Sequence, residues 1–206
     1  MSPLPIRTAL TLALLAASAF ATSSAAQKPD SIPGLDENFT RAPRPTAPLT
    51  IERVCPFECC TYGNWTLRNP AALRSGPRRT SPVLAQLKRG QRVRSDSGIM
   101  HVDTIGVVAV EKDYANDIYH TPFQRGDTIL VLDFLGEGQY NAWWRGYAIQ
   151  VESFWDGPQW EPDPSRVGKI VQKQTSTWWA HVRDNKAHRG WIDMTHVSAA
   201  GADACG

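Results

Sequence analysis

Arginine and tryptophan are the side chains whose types and spacing point most directly to chemistry. Between residues 61 and 95 the chain carries Arg68, Arg74, Arg78, Arg79, Lys88, Arg89, Arg92 and Arg94 with no Asp or Glu, a local charge of +8. The guanidinium fork matches carboxylate and phosphate oxygens, and a concentrated cation raises the local density of anions. Arg74, Arg78, Arg79 and Arg92 are the candidate ligand contacts. From residue 96 to the end there are 9 basic and 15 acidic residues, so the same charge can also be answered within the chain or by solvent. Seven of the eight Trp fall between residues 143 and 191, with adjacent pairs at Trp143-Trp144 and Trp178-Trp179. Neighbours in a strand face opposite sides, so one member of each pair meets the core and the other faces out. Trp144 and Trp179 are the candidates for a stacking surface, with Trp155 and Trp160 available to cover it.

Catalytic constellations are not legible. His101, His120, His181, His188 and His196 are scattered, and only His181 and His188 flank a common turn signal. Asp127, Asp133 and Glu137 lie near strand ends, but a hydrolytic carboxylate pair needs a defined separation across a cleft. His-Glu-x-x-His and Gly-x-Ser-x-Gly do not occur in the sequence, and neither Cys-His nucleophile context nor cofactor signature is found. The expectation is a binding protein and not an enzyme, with no cofactor and no metal.

The four cysteines are Cys55, Cys59, Cys60 and Cys205. Their Cys-x3-Cys-Cys spacing lacks the second ligand pair of a zinc site; in an exported chain it reads as two disulfides. A bond between adjacent Cys59 and Cys60 would be strained. Cys205 therefore pairs with Cys59 or with Cys60, and Cys55 takes the other. Either way a loop of roughly 145 residues is closed, worth ~4–5 kcal/mol in the chain-entropy account.

The elements that must position these groups begin with an address. Arg7, an apolar stretch over residues 9–17 and small residues at Ala19, Ala21, Ser24 and Ala26 form a secretory signal over 1–26, cleaved after Ala21 or Ala26. A periplasmic or secreted location follows, with no membrane span once the signal is removed. Residues 27–54 hold Pro29, Pro33, Pro43, Pro45 and Pro48 and read as an extended Pro-rich linker, with order beginning near Ile51. Beyond it, short β-prone runs at 83–87, 91–94, 99–110, 129–134, 139–149, 178–183 and 190–194 are split by Gly, Pro and Asp turns. This is the pattern of small all-β barrels. Residues 87–93 (Leu-Lys-Arg-Gly-Gln-Arg-Val) and 123–129 (Phe-Gln-Arg-Gly-Asp-Thr-Ile) share an apolar-x-Arg-Gly-polar-x-aliphatic pattern, as a turn glycine between two strands requires. The apolar content of 42%, charge content of 20% and net charge of +2 exclude a collagen, a coiled coil, a disordered chain and a polytopic membrane protein.

Leu73-Arg74-Ser75-Gly76-Pro77, followed by Pro82-Val83-Leu84 and Leu87-x-x-Gly90-x-x-Val93, resembles the bacterial SH3-like (SH3b) pattern. Residues 178–183 (Trp-Trp-Ala-His-Val-Arg) with Gly190-Trp191-Ile192 resemble that family's closing hairpin. The resemblance implies two small SH3-like barrels tied by disulfides. The first is a basic module over 55–112; the second is a Trp-rich module over 113–206, with an insertion at about 136–175. It also implies a non-catalytic, targeting role. The expected partner is a cell-envelope ligand, peptidoglycan first. The alternative is an envelope protein held on the Trp-rich module, as an interaction or scaffold protein. Nucleic acid is not expected, since the chain is exported and lacks a recognition-module signature.

Overall fold

The computed structural model describes residues 39–116, 121–155 and 166–205. The expected signal at 1–26, the linker as far as residue 38, His120 and Trp160 lie outside the described residues. Among the described residues every regular element is a strand. The chain opens with β1 (Thr40–Arg41), β2 (Leu49–Glu52), β3 (Gly63–Leu67), β4 (Ala71–Arg74), β5 (Val83–Leu87) and the long β6 (Arg92–Thr104). It continues through β7 (Gly106–Val110), β8 (Tyr114–Asn116), β9 (Thr121–Phe123), β10 (Thr128–Gly136), β11 (Gln139–Trp144) and β12 (Tyr147–Glu152). It closes with β13 (Gly168–Gln172), β14 (Thr175–Asp184), β15 (Arg189–Asp193) and β16 (Ala199–Ala200).

Among the described residues all ladders are antiparallel. One sheet, curled into a half-barrel, runs β16-β3-β6-β14-β15-β4-β5, with β2 added to β6 beyond the end of β3. A second runs β13-β7-β10-β11-β12-β1, and β8-β9 form a separate hairpin. The first sheet wraps Trp65, Leu67, Leu73, Leu87, Val93, Ala180, Val182 and Ile192, all buried. Another core of Val54, Met100, Val102, Ile105 and Leu130 lies where the sheets meet. Alternation makes this possible: in β6, Met100 and Val102 turn inward while Ile99, His101 and Asp103 turn outward. A bulge at Asp96, unopposed between the Ser95↔Val182 and Ser97↔His181 pairs, keeps the apolar set on one face.

The two sheets are nested, not consecutive. β6 runs on into β7 through Ile105 alone, and β13 runs on into β14 through Lys173 and Gln174. The pair β6/β14 therefore continues as the pair β7/β13. At the corner, Gln172 Nε2 donates to the Ile105 carbonyl at 2.8 Å and Gln174 Nε2 donates to that of Leu132, satisfying groups the bend takes out of the ladder. The boundary expected at 112/113 thus does not separate the sheets. The hairpin β14–β15 pairs with β6 and β4 of the first sheet, and five strands of the second sheet, β7, β10, β11, β12 and β13, fall between β6 and β14 in the chain. What reads as an insertion at 136–175 inside a second module is part of an entire sheet inserted into the first. Distance along the chain concealed this, because the ladder joining β6 to β14 is non-local.

The internal repeat is structural. Gly90 and Gly126 both take positive φ, 79° and 92°, in the β5–β6 and β9–β10 turns. Lys88 N donates to Gln91 Oε1 and Gln124 N to Asp127 Oδ2, each at 2.9 Å. Gly90 N reaches the Leu67 carbonyl at the end of β3, and Gly126 N that of Val110 at the end of β7. Strand order matches as well: β16-β3-β6-β14-β15 in one sheet, β13-β7-β10-β11-β12 in the other.

The expected linker is partly folded. β1 pairs with β12 and β2 with β6, so residues 39–52 strap the two sheets together. Trp143 Nε1 donates to the Ala42 carbonyl at 2.9 Å, and the Arg44 and Arg41 guanidinium groups lie 5.7 Å and 5.0 Å from the Trp143 and Tyr147 ring centres. Proline content concealed the strap because the strands fall on either side of Pro43, Pro45 and Pro48, on sheet edges where a missing donor is tolerated. The disulfides are Cys55–Cys60 and Cys59–Cys205, which selects one of the two open pairings. The second of them, with Ala204 N donating to the Cys59 carbonyl at 2.9 Å, holds β16 beside β3.

Candidate functional site

A cleft of about 430 Å³ opens on the outer face of the first sheet, lined by residues that include Arg78, Arg79, His101, Asp103, Thr177 and Trp179. Strand register builds its floor. Thr50 and Thr177 stand opposite His101 on either side; Trp179 follows two residues along β14 and Asp103 two along β6, so all share one face. One wall is Pro48-Leu49-Thr50 of the strap, and the other is Pro77-Arg78-Arg79 of the β4–β5 connection.

That connection is held by its own bonds. Ser75 N donates to the Pro82 carbonyl and Ser81 N to that of Arg78, both at 2.9 Å. Arg74 Nη1 donates to the Ser81 carbonyl at 2.8 Å. β4 can approach β15 closely only because residue 190 is glycine: a Cβ there would stand 2.2 Å from the Arg74 carbonyl oxygen. Arg79 Nε donates to Asp193 Oδ2 at 2.7 Å. Burial works to raise the Asp193 pKa, but the Thr195 hydroxyl and amide and the Arg79 guanidinium outweigh it and hold this carboxyl below its ordinary range. Arg79 is thus anchored to the sheet. Arg78 is exposed, and no side-chain partner is seen for it among the described residues. On the floor, His101 Nδ1 shares a 2.9 Å hydrogen bond with Thr50 Oγ1, while its Nε2 is buried without a partner. The result is a pocket of mixed polar and apolar lining, with the exposed Arg78 guanidinium on one rim and the exposed Asp103 carboxylate on the other side.

Of the six residues proposed from sequence, the structure brings Arg78, Arg79 and Trp179 together. Arg74 fixes the loop that carries two of them and lines a separate depression with Asp193 and His196. Arg92 is exposed at the far end of β6, roughly 30 Å along the strand from His101. Trp144 is a correction: it is fully buried, packed edge-on against Phe123 at 5.2 Å, with Nε1 donating to Asp127 Oδ2 at 3.0 Å. Trp179 is 2% exposed, so it forms floor and not an open stacking platform. Their neighbours are covered too. Trp143 lies under the strap, and Trp178 packs against Phe57 and Trp65 with ring centres 5.7 Å and 6.1 Å away. Trp155 is buried against Tyr140 and Phe154 and not over either Trp pair.

His101, Asp103, Thr50 and Thr177 were missed. The signal was present in the alternation of Ile99, His101 and Asp103 against Met100 and Val102, which puts two polar groups on one face of β6. Two other histidines, His181 and His188, each face a carboxylate. His181 Nδ1 lies 2.7 Å from Asp96 Oδ1, and His188 Nδ1 lies 2.9 Å from Asp184 Oδ2. The Asp184 carboxylate also accepts the amides of Lys186 and His188, so this pair closes the β14–β15 turn. Asp133 is 1% exposed; its Oδ2 accepts Asn141 Nδ2 at 3.2 Å and its Oδ1 has no partner. Burial pushes its pKa up, with the Asn141 bond opposing.

Comparison of the chain with family models, with curated proteins and with solved structures found no match.

Proposed function

We propose that the protein is exported to the periplasm or beyond and there holds a carboxylate-bearing envelope ligand, peptidoglycan stem peptides first, in the cleft between the strap and the β4–β5 connection. The reading is of a non-catalytic binding protein built from two SH3-like half-barrels, one inserted in the other. The single observation that carries it is the Arg78 guanidinium, exposed and, among the described residues, without a side-chain partner, beside an anchored Arg79 and above a floor of His101, Thr177 and Trp179. A guanidinium without an internal carboxylate is available for a ligand's fork-to-fork pairing. The matching turns and strand orders of the two sheets support the barrel reading, and two disulfides with no free cysteine suit an oxidising compartment. The alternative of a protein held on exposed tryptophans has less to use, since both members of each Trp pair are covered or buried.

Sedimentation of the oxidised protein with insoluble peptidoglycan tests this. Binding is expected at low salt and should weaken as salt screens the charges. Arg78→Ala should reduce it by about tenfold, the loss of one charge-assisted pair, with an unchanged melting temperature because Arg78 has no side-chain partner among the described residues. Protein remaining in the supernatant at low salt, or full binding by the Arg78→Ala variant, sinks the assignment.

A further inference from the structure

Each sheet ends in one blunt edge and one long one. β16 and β1 are two residues each, whereas β5 and β13 are five residues each and terminate their sheets. The large hydrophobic side chains left exposed among the described residues lie on these two long edges: Val83 (44%) and Leu84 (46%) on β5, and Val171 (65%) on β13. An edge strand presents alternate backbone N–H and C=O groups that no neighbour satisfies, and proteins discourage further pairing there with charge or proline. β13 carries such a charge, Lys169, at its second position. β5 reads Val-Leu-Ala-Gln-Leu and carries no charge; its edge protection is limited to Pro82 just before it and a bulge at Leu84.

The charges around β5 lie at its ends. Arg78 precedes it, Lys88 and Arg89 follow it, all three are exposed, and no acidic residue occurs between residues 61 and 95. This arrangement discriminates between occupants. A second copy adding its own β5 antiparallel would bring Arg78 of each molecule beside Lys88 and Arg89 of the other, stacking like charges at both ends. A strand with acidic residues at both ends would meet a cation at each.

We propose that β5 is a docking edge for an extended polypeptide segment of another protein. That segment has a short uncharged β-prone centre flanked on each side by Asp or Glu, and it adds as the next strand of the curled sheet. Backbone pairing supplies the affinity, Val83 and Leu84 give the added strand an apolar surface to cover, and the basic flanks select the partner. This surface goes beyond the cleft reading and is separable from it: Leu84 lies outside the cleft, whereas Arg78 borders both.

The test uses the oxidised protein and two synthetic peptides sharing the centre Val-Thr-Val-Thr-Val, one flanked by Asp-Glu and Glu-Asp, the other by Lys-Lys at each end. Amide NMR and hydrogen exchange provide the readout. The acid-flanked peptide should bind and protect amides within residues 83–87. The Lys-flanked peptide should bind at least about tenfold more weakly, the sum of several cross-strand charge pairs. N-methylation at alternate peptide amides should abolish binding. Leu84→Lys, at an exposed position that leaves folding intact, should abolish peptide binding and leave peptidoglycan sedimentation unchanged. The proposal is overturned if the acid-flanked peptide does not bind, if it binds without protecting 83–87, or if the protein alone dimerises with those amides protected. Loss of peptidoglycan binding with peptide binding retained would overturn the cleft reading alone.

Discussion

At the scale of single residues, the buried carboxylates Asp184 and Asp133 shift in opposite directions. Asp184 is buried, which would raise its pKa, yet the His188 ring and the amides of His188 and Lys186 more than offset this and its pKa is lowered. Its contribution to stability is present above the ordinary carboxylate pKa of about 4 and is lost as pH falls through the lower folded value. Asp133 has the opposite sign: burial raises its pKa. A carboxyl that favours its neutral form in the folded state stabilises fully below about pH 4, and that stability is lost as pH rises toward the folded value. Asp133→Asn should therefore raise the melting temperature at neutral pH, and the gain over the parent should shrink toward zero as the pH is lowered below about 4. A variant that is less stable at every pH would show that Asp133 is held by something other than the Asn141 bond. None of this was legible in the sequence, where Asp133 is one carboxylate among several near strand ends. Its environment is set by Leu132, Asn141 and strands that meet only in three dimensions.

Elements show which patterns can be read in one dimension. The two Arg-Gly turns were visible because everything that defines them is local: a positive-φ glycine, an apolar residue before it and an aliphatic residue after it. Their unequal weight was not visible. Gln91 accepts only Lys88 N on an exposed turn, whereas the equivalent Asp127 is buried and also accepts Trp144 Nε1 and both Nε and Nη2 of Arg145. Asp127→Ala leaves an indole and a guanidinium without their acceptor and should cost about 3–5 kcal/mol; Gln91→Ala should cost about 1 kcal/mol or less. Urea denaturation of the two variants measures the difference, and equal costs would show that the turns are energetically interchangeable. The strap is the converse case. Its prolines are a local signal for an extended, unpaired chain, and they were overruled by edge pairing to β12 and β6 and by the Trp143–Ala42 bond.

At the scale of the whole molecule, strand character and the presence of two disulfides were readable, while the nesting was not. Sequence order favours consecutive units, and only the β6/β14 ladder reveals that the second sheet interrupts the first. The candidate cleft shares this fate: its floor joins His101 to Thr177 and its walls come from residues 48–50 and 77–79, so no window of sequence contains it. The Cys59–Cys205 bond, spanning 146 residues, acts on the same scale. Replacing both cysteines by Ser should lower stability by about 4–5 kcal/mol, against about 2 kcal/mol for the five-residue span of Cys55–Cys60. Comparable losses from the two double variants in chemical denaturation would contradict a loop-closure origin.

The nesting also sets an order of events for a chain that emerges N-terminus first. β6 appears early but stays without β14 until residues 105–174 have followed. The strands of the interrupting sheet are complete by residue 172, with β1 already waiting. That sheet can therefore assemble first, and its two ends, on the paired strands β7 and β13 about 5 Å apart, deliver β14 onto β6. The inner unit is in this sense the jig on which the outer one is assembled. The last cysteine to arrive, Cys205, locks a sheet whose first strand had been waiting for it since the chain began to fold.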